Sequence, residues 1–391
     1  MFKLKQNITL FLLFLCLFSC TSNPKSPIDP KKNIFIAKPE VTFNINNLPK
    51  QINVFYLNSN IDGQNSSPFL QGITDNYYYY KEKIGYVPEL NFIDFSDNVN
   101  CLKSITLLRE SFSIGLLLNQ DYPLLNNNCY QKFQETKGLV ITINKIMNLR
   151  EKGLRALNIN REVDIKNLLY VARNNGDTRA IIIDDSTTRD KALVEKTWKN
   201  MGGEIVSSVS SEKKTSSPKL LSEILLLEQS KIRSRKLSRI IGLQINSEPR
   251  KREDIDSMFL STSLQIARSL KPALEYNFAD NINVYLIPSW LEEEYLKDNE
   301  LDLEKVIISE MPFLLNTNTS SQKINPTNKS RNYAIGYDAY ELALLLDSNT
   351  RGNFNYFGLT GLISNEYPLI QKESLHAKVK NGKLQYLNYT D

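Results

Sequence analysis

Histidine is almost absent from this chain, which has His376 as its one histidine in 391 residues. A Ser-His-Asp triad or a His-containing zinc site is therefore not easily assembled. Gly-x-Gly-x-x-Gly, Walker A and Gly-x-Ser-x-Gly patterns are also absent. Acidic runs such as Asp184-Asp185 and Glu292-Glu293-Glu294 could act as acid and base, but runs of charge are usually solvated surface. The sequence therefore predicts a protein that is not an enzyme and uses no metal or cofactor.

A strong excess of either charge is lacking as well. The chain has 48 Lys and Arg against 43 Asp and Glu, a formal net charge of +5, and two of the lysines fall in the export segment described below. The +3 that remains is too small to indicate nucleic acid or another acidic polymer as a partner. A content of 41% hydrophobic and 23% charged residues is ordinary for a globular protein that buries a large core.

Cysteine is scarce, and two of the four cysteines lie near the amino terminus. A short charged start precedes an apolar run at 8–18, which is too short to span a bilayer and leads into Ser19 and Cys20. This pattern is typical of a bacterial lipoprotein signal, so residues 1–19 are predicted to be removed and Cys20 to carry lipid. Thr21 stands where an aspartate would favour the inner membrane, so we expect an outer-membrane anchor that faces the periplasm. The alternative is a core helix with an incidental cysteine.

Cys101 and Cys129 are the cysteines left after Cys20. Outside the cytoplasm they could form a disulfide that closes a loop of about 28 residues and stabilises the fold by roughly 3 kcal/mol. The alternative is two separately buried thiols, which need no partner.

Residues 20–50 hold five prolines among Ser, Asn and Lys, which predicts a flexible tether. From Gln51 onward, short apolar runs alternate with amphipathic stretches, and this alternation predicts an α/β fold. Several runs are continuous apolar blocks, as a parallel sheet covered on both faces requires. The predicted strands are residues 52–57, 114–118, 139–143, 180–183, 205–209, 258–260 and 284–287.

The clearest unit is a strand-helix-strand crossover at 179–209. Its first strand ends at Asp184-Asp185-Ser186, whose side chains can cap the helix that follows. Gly202-Gly203 then ends that helix before the next strand. Further helices are predicted at 160–174 and 264–276.

Two regions do not fit this pattern. Residues 58–98 hold Tyr77-Tyr78-Tyr79-Tyr80 among Asn, Gly and Ser. The tyrosine run could be a recognition patch, but we favour an element half in the core. Residues 317–332 are rich in Asn, Ser and Thr without periodicity, which predicts a loop.

Distinctive sequence blocks occur from residue 235 onward. They are Arg235-Lys236-Leu237-Ser238-Arg239-Ile240-Ile241-Gly242, then Glu248-Pro249-Arg250-Lys251-Arg252-Glu253-Asp254-Ile255-Asp256, then Glu310-Met311-Pro312-Phe313-Leu314-Leu315, the stretch 333–343, and Gly358-Leu359-Thr360-Gly361. Together these blocks resemble the LppC family, the penicillin-binding protein activator lipoproteins. The resemblance covers the chain from about Leu157 to its end.

The resemblance implies a periplasmic-binding-protein type I fold, an α/β architecture in which two doubly wound lobes are joined by crossing hinge strands. By the family pattern, the first lobe takes residues 50–156 and 290–352, and the second takes 157–289 and 353–391. Family members sit in the outer membrane and stimulate a class A penicillin-binding protein, a peptidoglycan synthase. The resemblance thus implies a regulator with that synthase as its partner and without enzyme activity. The alternative is a lipid-anchored periplasmic receptor for an amino acid or muropeptide.

The chain departs from the family pattern in two ways. Longer members carry a helical-repeat domain before the α/β domain, whereas about 30 residues of tether precede Gln51 here. The expected glycine-rich stretch after the first strand is replaced by Leu-Asn-Ser-Asn-Ile-Asp-Gly at 57–63. We therefore expect a shorter rigid reach from the membrane, and the loss of whatever a small ligand would use in that loop.

Ligands of two-lobed α/β proteins meet loops at the carboxyl ends of strands. The residues expected near such a cleft are Asn119, Asp184, Asp185, Ser186, Ser289 and Asp338. Each has a structural alternative. Asp185 or Ser186 could cap a helix, and Asp338 could be a first-turn acid that favours the helix dipole.

Arg250, Lys251 and Arg252 could dock an acidic partner surface, because guanidinium groups pair bidentately with carboxylates. The acidic residues that follow them in sequence could instead neutralise them within the lobe, and we favour this second interpretation. Those residues are Glu253, Asp254 and Asp256.

Overall fold

Two sheets organise the structure, a computed structural model that describes residues 45–56, 67–94, 111–117, 135–142, 154–159, 162–185, 190–211, 217–244, 246–287, 299–315, 330–348, 354–366 and 369–387. Isolated positions at 99, 102–103, 128, 133 and 296 are described as well. All of these residues belong to one compact unit, Ala37–Leu387. The other unit, Met1–Ile36 with Asn388–Asp391, lies outside the described residues.

The described strands are β1 (Gln51–Tyr56), β2 (Glu89–Asp94), β3 (Ser111–Leu117), β4 (Gly138–Thr142), β5 (Leu154–Asn158), β6 (Arg179–Asp184), β7 (Glu204–Ser210), β8 (Ser257–Ser261), β9 (Asn283–Leu286), β10 (Ile307–Glu310), β11 (Asn355–Phe357), β12 (Leu362–Glu366), β13 (Leu369–Glu373), β14 (Leu375–Lys380) and β15 (Lys383–Tyr386). The described helices are α1 (Ser67–Ile84), α2 (Glu162–Asn174), α3 (Lys191–Asn200), α4 (Ser217–Ile224), α5 (Leu227–Ile241), α6 (Leu264–Tyr276) and α7 (Arg331–Ser348). Short 3-10 helices lie at Ile45–Asn47, Leu301–Leu303 and Pro312–Leu315.

The first sheet has eight strands in the order β11-β12-β13-β5-β4-β3-β1-β2. Its central strands are parallel, with Val54 opposite Ile114 and Ile141 opposite Leu157. β11 and β12 extend one side in antiparallel pairing. We call this sheet, together with α1 and α7, the first lobe.

The second sheet has seven strands in the order β15-β14-β10-β9-β8-β6-β7. Strands β6 to β10 are parallel, whereas β14 is antiparallel to β10 and β15 to β14. We call this sheet, together with α2 to α6, the second lobe. The two doubly wound lobes are those of the periplasmic-binding-protein type I fold.

The seven predicted strands are confirmed, and so is the crossover at 179–209. Ile181 to Ile183 are fully buried because helices cover both faces of the second sheet, which explains the continuous apolar block. β6 and β7 are parallel, with Ile183 opposite Val209, and α3 lies between them in sequence. The predicted helices at 160–174 and 264–276 correspond to α2 and α6.

Strands near the end of the chain are distributed between the lobes differently from the expected pattern. β10 lies in segment 290–352, which was expected in the first lobe, but it pairs with β9 and β14 in the second sheet. β11 to β13 lie in segment 353–391, which was expected in the second lobe, but they belong to the first sheet. The reason is that β10 continues the parallel order of β8 and β9 before the chain changes sheet. The lobe boundaries as a whole stay a prediction.

The tyrosine run lies in helix α1, which packs against α7 in the first lobe. Tyr80 is buried, and Tyr77 and Tyr79 pack against the hydrophobic core of the first lobe. Tyr78 is exposed. The interpretation as an element half in the core is therefore confirmed. None of the helices in the described part of the chain is both long enough and apolar enough to cross a membrane.

Candidate functional site

Three segments carry the chain between the two sheets. Residues 159–161 join β5 to α2, residues 311–330 join β10 to α7, and Ser374 joins β13 to β14. Hinge motion in two-lobed proteins is absorbed by a few residues at such connections. Polar groups buried at these crossings are therefore the first candidates for a functional site.

A buried lysine of β13, Lys372, lies two residues before the third crossing. Its Nζ donates to Oδ2 of Asp164 at 2.8 Å and to Oγ of Ser374 at 2.7 Å. The other carboxylate oxygen of Asp164, Oδ1, accepts the backbone N–H of Ser374 at 2.8 Å. Asp164 lies in the first turn of α2, where the helix dipole favours a negative charge. This cluster therefore ties the first crossing to the third.

The second crossing is closed by another buried ion pair. Arg331, the first residue of α7, donates from Nη2 to Oε2 of Glu310 and from Nε to Oε1 at 3.2 Å. The backbone N–H of Met311 donates to the same Oε1 at 2.9 Å. Glu310 is the last residue of β10, so the pair joins the two ends of the segment between the sheets. We call Asp164, Lys372, Ser374, Glu310 and Arg331 the junction cluster.

Burial controls the electrostatics of the junction cluster. It lowers the pKa of Lys372, and the carboxylates of Asp164 and Glu310 act in the opposite direction. The Lys372 side chain is 0% exposed, so no open side remains at which a substrate could meet the ammonium group. The arrangement is suited to stabilising the crossings and not to presenting a reacting group.

His376 lies next to this cluster on β14, opposite Ser309 of β10. The sequence places it in a polar stretch, but the side chain is buried because β14 continues the second sheet. Burial lowers the pKa of His376 to about 4, and only the Asp164 charge works against this. The imidazole is therefore neutral at pH 7.

Two of the predicted cleft residues, Asp184 and Asp185, lie at the end of β6 and are engaged within the second lobe. Oδ1 of Asp184 is 3.3 Å from Nζ of Lys191. Oδ2 of Asp185 accepts the backbone N–H of Ser263 at 2.6 Å and so fixes the loop before α6. The predicted cap for α3 is wrong: its N-cap residue is Asp190, which makes no side-chain capping bond. The Asp185 carboxylate binds the loop before α6 instead.

Asp338 is fully buried in the middle of α7 and is not a first-turn acid. Its carboxylate accepts the backbone N–H groups of Leu359 and Thr360 at 2.9 and 2.7 Å, and the Thr360 hydroxyl at 2.6 Å. A Cβ on Gly358 would stand 2.4 Å from the same carboxylate, which explains that glycine. Burial raises the pKa of Asp338 to about 6. Asp338 thus holds the Gly-Leu-Thr-Gly turn inside the first lobe.

The basic segment is partly neutralised where it stands. Arg252 pairs with Asp254 through two hydrogen bonds of 2.6 Å, from Nε and Nη2. Lys251 lies near Asp280 and Glu253, and partial burial lowers its pKa. Asp256 pairs with Arg179 instead, at 2.9 Å from Nη2, because it caps the start of β6. A docking role for Arg250, Lys251 and Arg252 stays a prediction.

Several sequence predictions fall outside the described residues. They concern the remaining cleft candidates, the lipid-bearing cysteine and the proposed disulfide: Asn119, Ser186, Ser289, Cys20, Cys101 and Cys129. Within the part of the chain that the structure covers, no group of three or more His, Cys, Asp or Glu residues could hold a metal ion.

Sequence reasoning missed the junction cluster. A signal for Lys372 was present, because it lies two residues from Ile370 on a strand and therefore shares its buried face. Asp164 and Arg331 carried no such signal, since each is a charged residue in the first turn of its helix, a position that is usually exposed to solvent. Their pairing depends on where the crossings meet.

Comparison with protein families gives a match to the model described as "LppC putative lipoprotein" over residues 178–382, more than half of the chain. No curated protein matches the chain. The matched range covers most of the second lobe and the third crossing.

Solved structures of the same fold are similar over nearly the whole described body. A branched-chain amino acid ABC transporter protein from Chromobacterium violaceum superposes with a TM-score of 0.59 at 16% identity, covering 84% of this chain and 99% of the other. The C-domain of LpoA from Haemophilus influenzae, described as a regulator of PBP1A, gives 0.58 at 16% identity, covering 86% and 99%. Full-length LpoA gives 0.59 at 14% identity, covering 88% of this chain but 60% of that one. At such identities the likeness establishes the fold.

Proposed function

The chain belongs to the LppC lipoprotein family, and from this premise we propose that it is an outer-membrane lipoprotein that regulates peptidoglycan synthesis by binding and activating a class A penicillin-binding protein. The observation that carries the proposal is the family match over residues 178–382. In this proposal Cys20 bears the lipid and the residues that follow it tether the body. The end of the predicted tether, 45–50, belongs to the body itself, because Leu48 packs against the core of the first lobe and Pro49 is buried. The body corresponds to the C-domain of LpoA, whose description as a regulator of PBP1A supports the same role.

The use of polar groups within the body supports a docking protein over a solute receptor. Asp185 and Asp338 were expected to face a cleft. The carboxylate of each instead accepts hydrogen bonds from backbone N–H groups of its own lobe. The Lys372 ammonium is likewise engaged by Asp164 and Ser374. A receptor for an amino acid needs polar groups aimed at the ligand. Asp185, Asp338 and Lys372 are already engaged within the body, so these three side chains do not supply such groups.

In this proposal activation is allosteric, because the body acts on the synthase through contacts. A partner that contacts the active state of an enzyme better than its inactive state shifts the equilibrium toward the active one. The required affinity difference is modest: a tenfold activation corresponds to about 1.4 kcal/mol of coupling free energy.

The binding step is tested with the body without its lipid, residues 21–391, immobilised and exposed to a purified class A synthase from the same bacterium. We expect saturable binding. The matched control is a branched-chain amino acid binding protein of the same fold, which should retain no synthase. Failure of the body to retain the synthase above this control would contradict the proposal.

The receptor alternative is tested on the same material by thermal unfolding with amino acids and muropeptides. A true ligand present at 100 times its Kd would stabilise the body by about 2.7 kcal/mol. We expect no such stabilisation, and a specific rise in Tm with one ligand would favour the receptor function.

A further inference from the structure

Helix α5 lies largely outside the hydrophobic core of the second lobe. Its one buried residue, Leu227, lies at its start. Residues 246–250 return beside the helix, with the backbone N–H of Arg250 donating to Oγ of Ser230 at 2.9 Å and Ser247 contacting Ser234 through their hydroxyls. We call α5 and its return through Arg250 the arm.

The far end of the arm exposes aliphatic side chains. Ile240 is 81% exposed and Leu243 67%, and Leu237, Ile241 and Ile232 are each close to half exposed. Leu237, Ile240 and Ile241 have the i, i+3, i+4 spacing of one helix face. Five of the 13 large exposed apolar side chains in the described residues lie on this one element, so they form a patch and are not scattered singly.

The arm also contains the excess of positive over negative side chains in the protein. Between residues 227 and 250 there are six Lys and Arg and two acids, Glu228 and Glu248. Glu228 is paired with Lys231 at 2.6 Å, which leaves the cations near the apolar end facing solvent. The mature chain as a whole has only three more Lys and Arg than Asp and Glu. The rest of the protein therefore has no excess of positive charge.

From these observations we infer that the arm binds an anionic lipid surface, with its aliphatic end in the headgroup region and its cations on the phosphates. A helix with Lys and Arg around exposed Ile and Leu is the usual design for binding in the plane of a membrane surface. The arm contains no aromatic residue, whereas the energetic centres of protein interfaces are enriched in Trp and Tyr. At 100° per residue, Arg233 lies within the aliphatic face and Lys236 lies beside it, so a layer of anionic headgroups can reach both cations.

The test is sedimentation of residues 21–391, which carry no lipid, with vesicles of phosphatidylethanolamine and phosphatidylglycerol. Vesicles of phosphatidylethanolamine and phosphatidylcholine are the neutral comparison. We expect binding to the anionic vesicles that weakens with added salt. Arg233→Gln with Lys236→Gln, which removes two exposed cations, should weaken it about thirtyfold, since each cation near an anionic surface contributes about 1 kcal/mol.

Two control variants make matched changes elsewhere. Lys196→Gln with Lys199→Gln removes two exposed cations from α3, and Leu301→Ser removes an exposed aliphatic side chain. Ile240→Ser should weaken vesicle binding about tenfold, whereas both controls should bind as the unaltered chain does. Thermal unfolding of each variant establishes that it is folded.

Binding that is absent, equal on neutral vesicles, or unchanged in the arm variants would overturn the inference. Loss of synthase binding in the arm variants without any vesicle binding would also overturn it, and would assign the arm to a protein partner. Synthase binding by the unaltered body is measured separately from vesicle binding, so the inference and the proposed function fail separately.

Discussion

Charged side chains are buried at the crossings, and each is stabilised by an oppositely charged partner. A buried ammonium or carboxylate without its partner has lost its hydration and lacks the attraction of an opposite charge that would compensate for this loss. The Lys372 and Asp164 side chains are 0% and 6% exposed, while those of Arg331 and Glu310 are 5% and 1% exposed. Stability at the crossings should therefore be far more sensitive to these residues than to exposed ion pairs.

Breaking the Asp164–Lys372 pair should be costly. We expect Asp164→Asn to lower the free energy of unfolding by about 3–5 kcal/mol, because it leaves Lys372 buried without its carboxylate. Adding Lys372→Met should recover part of this loss, so that the double variant is more stable than the sum of the two single effects predicts. Urea denaturation measures all three.

The control for this prediction is Asp254→Asn, which breaks the exposed Arg252–Asp254 pair. Asp254 is half exposed, so its loss should cost less than about 1 kcal/mol. Equal costs at Asp164 and Asp254, or strict additivity of the double variant, would contradict a coupled buried pair.

His376 should make stability depend on pH. Burial lowers the pKa of His376 to about 4 from its ordinary value of 6.5, so between these values the unfolded chain binds the proton and the folded chain does not. Stability should therefore be full above about pH 6.5 and fall by up to roughly 3 kcal/mol as the pH drops toward 4. Because the chain has one histidine, its NMR titration is read without ambiguity.

Asp338 acts in the opposite sense over part of the same range. Burial raises the pKa of Asp338 to about 6, so the folded state keeps a proton that the unfolded state has lost, and this contribution declines as the pH rises from about 4 to 6. The contribution of His376 is isolated by comparing the chain with His376→Asn, whose stability should fall less at low pH. An imidazole that titrates near 6.5 in the folded protein would contradict the account.

At the level of secondary-structure elements, the backbones of α1 and α7 approach each other more closely than residues with a Cβ atom would allow. A Cβ on Gly336 would lie 2.0 Å from the backbone oxygen of Phe69, and one on Gly72 would lie 2.1 Å from that of Tyr333. The two glycines are thus reciprocal, each facing the backbone of the other helix. Asn76 adds a hydrogen bond of 2.7 Å from its Nδ2 to the backbone oxygen of Tyr337.

Gly336→Ala should therefore destabilise the first lobe, although alanine is the better helix former. The added methyl group meets rigid backbone and forces the helices apart, which should cost about 3 kcal/mol. Tyr78→Ala, at an exposed position of α1, should change stability by no more than about 0.5 kcal/mol. An unchanged midpoint of urea unfolding for Gly336→Ala would contradict the close contact.

Elements with a strong local pattern could be predicted from the sequence. The block at 180–183 is a strand because four consecutive apolar residues fit a sheet covered on both faces, and α6 has a continuous amphipathic face with Ser263 as its cap. For the tyrosine run the sequence indicated an element half in the core but not that it is a helix, because four tyrosines among Asn and Gly have weak helix propensity and the stability of α1 comes from packing against α7. The same limit applies to Asp338, whose role depends on a turn 20 residues away.

At the scale of the whole molecule, the sequence could predict two α/β lobes but not which lobe receives the later strands. β10 and β13 lie at the points where the chain changes sheet, and their local sequences fit either sheet. The junction cluster arises from the same long-range arrangement. The buried ion pairs join the two lobes where the chain crosses between the sheets.

The most direct test of this account is the rate of glycan polymerisation by a purified class A penicillin-binding protein, measured with and without residues 21–391. We predict a rate that rises severalfold and saturates with the concentration of the body, while the same-fold branched-chain amino acid binding protein has no effect. An unchanged rate at concentrations that saturate binding would contradict the claim that the body activates the synthase.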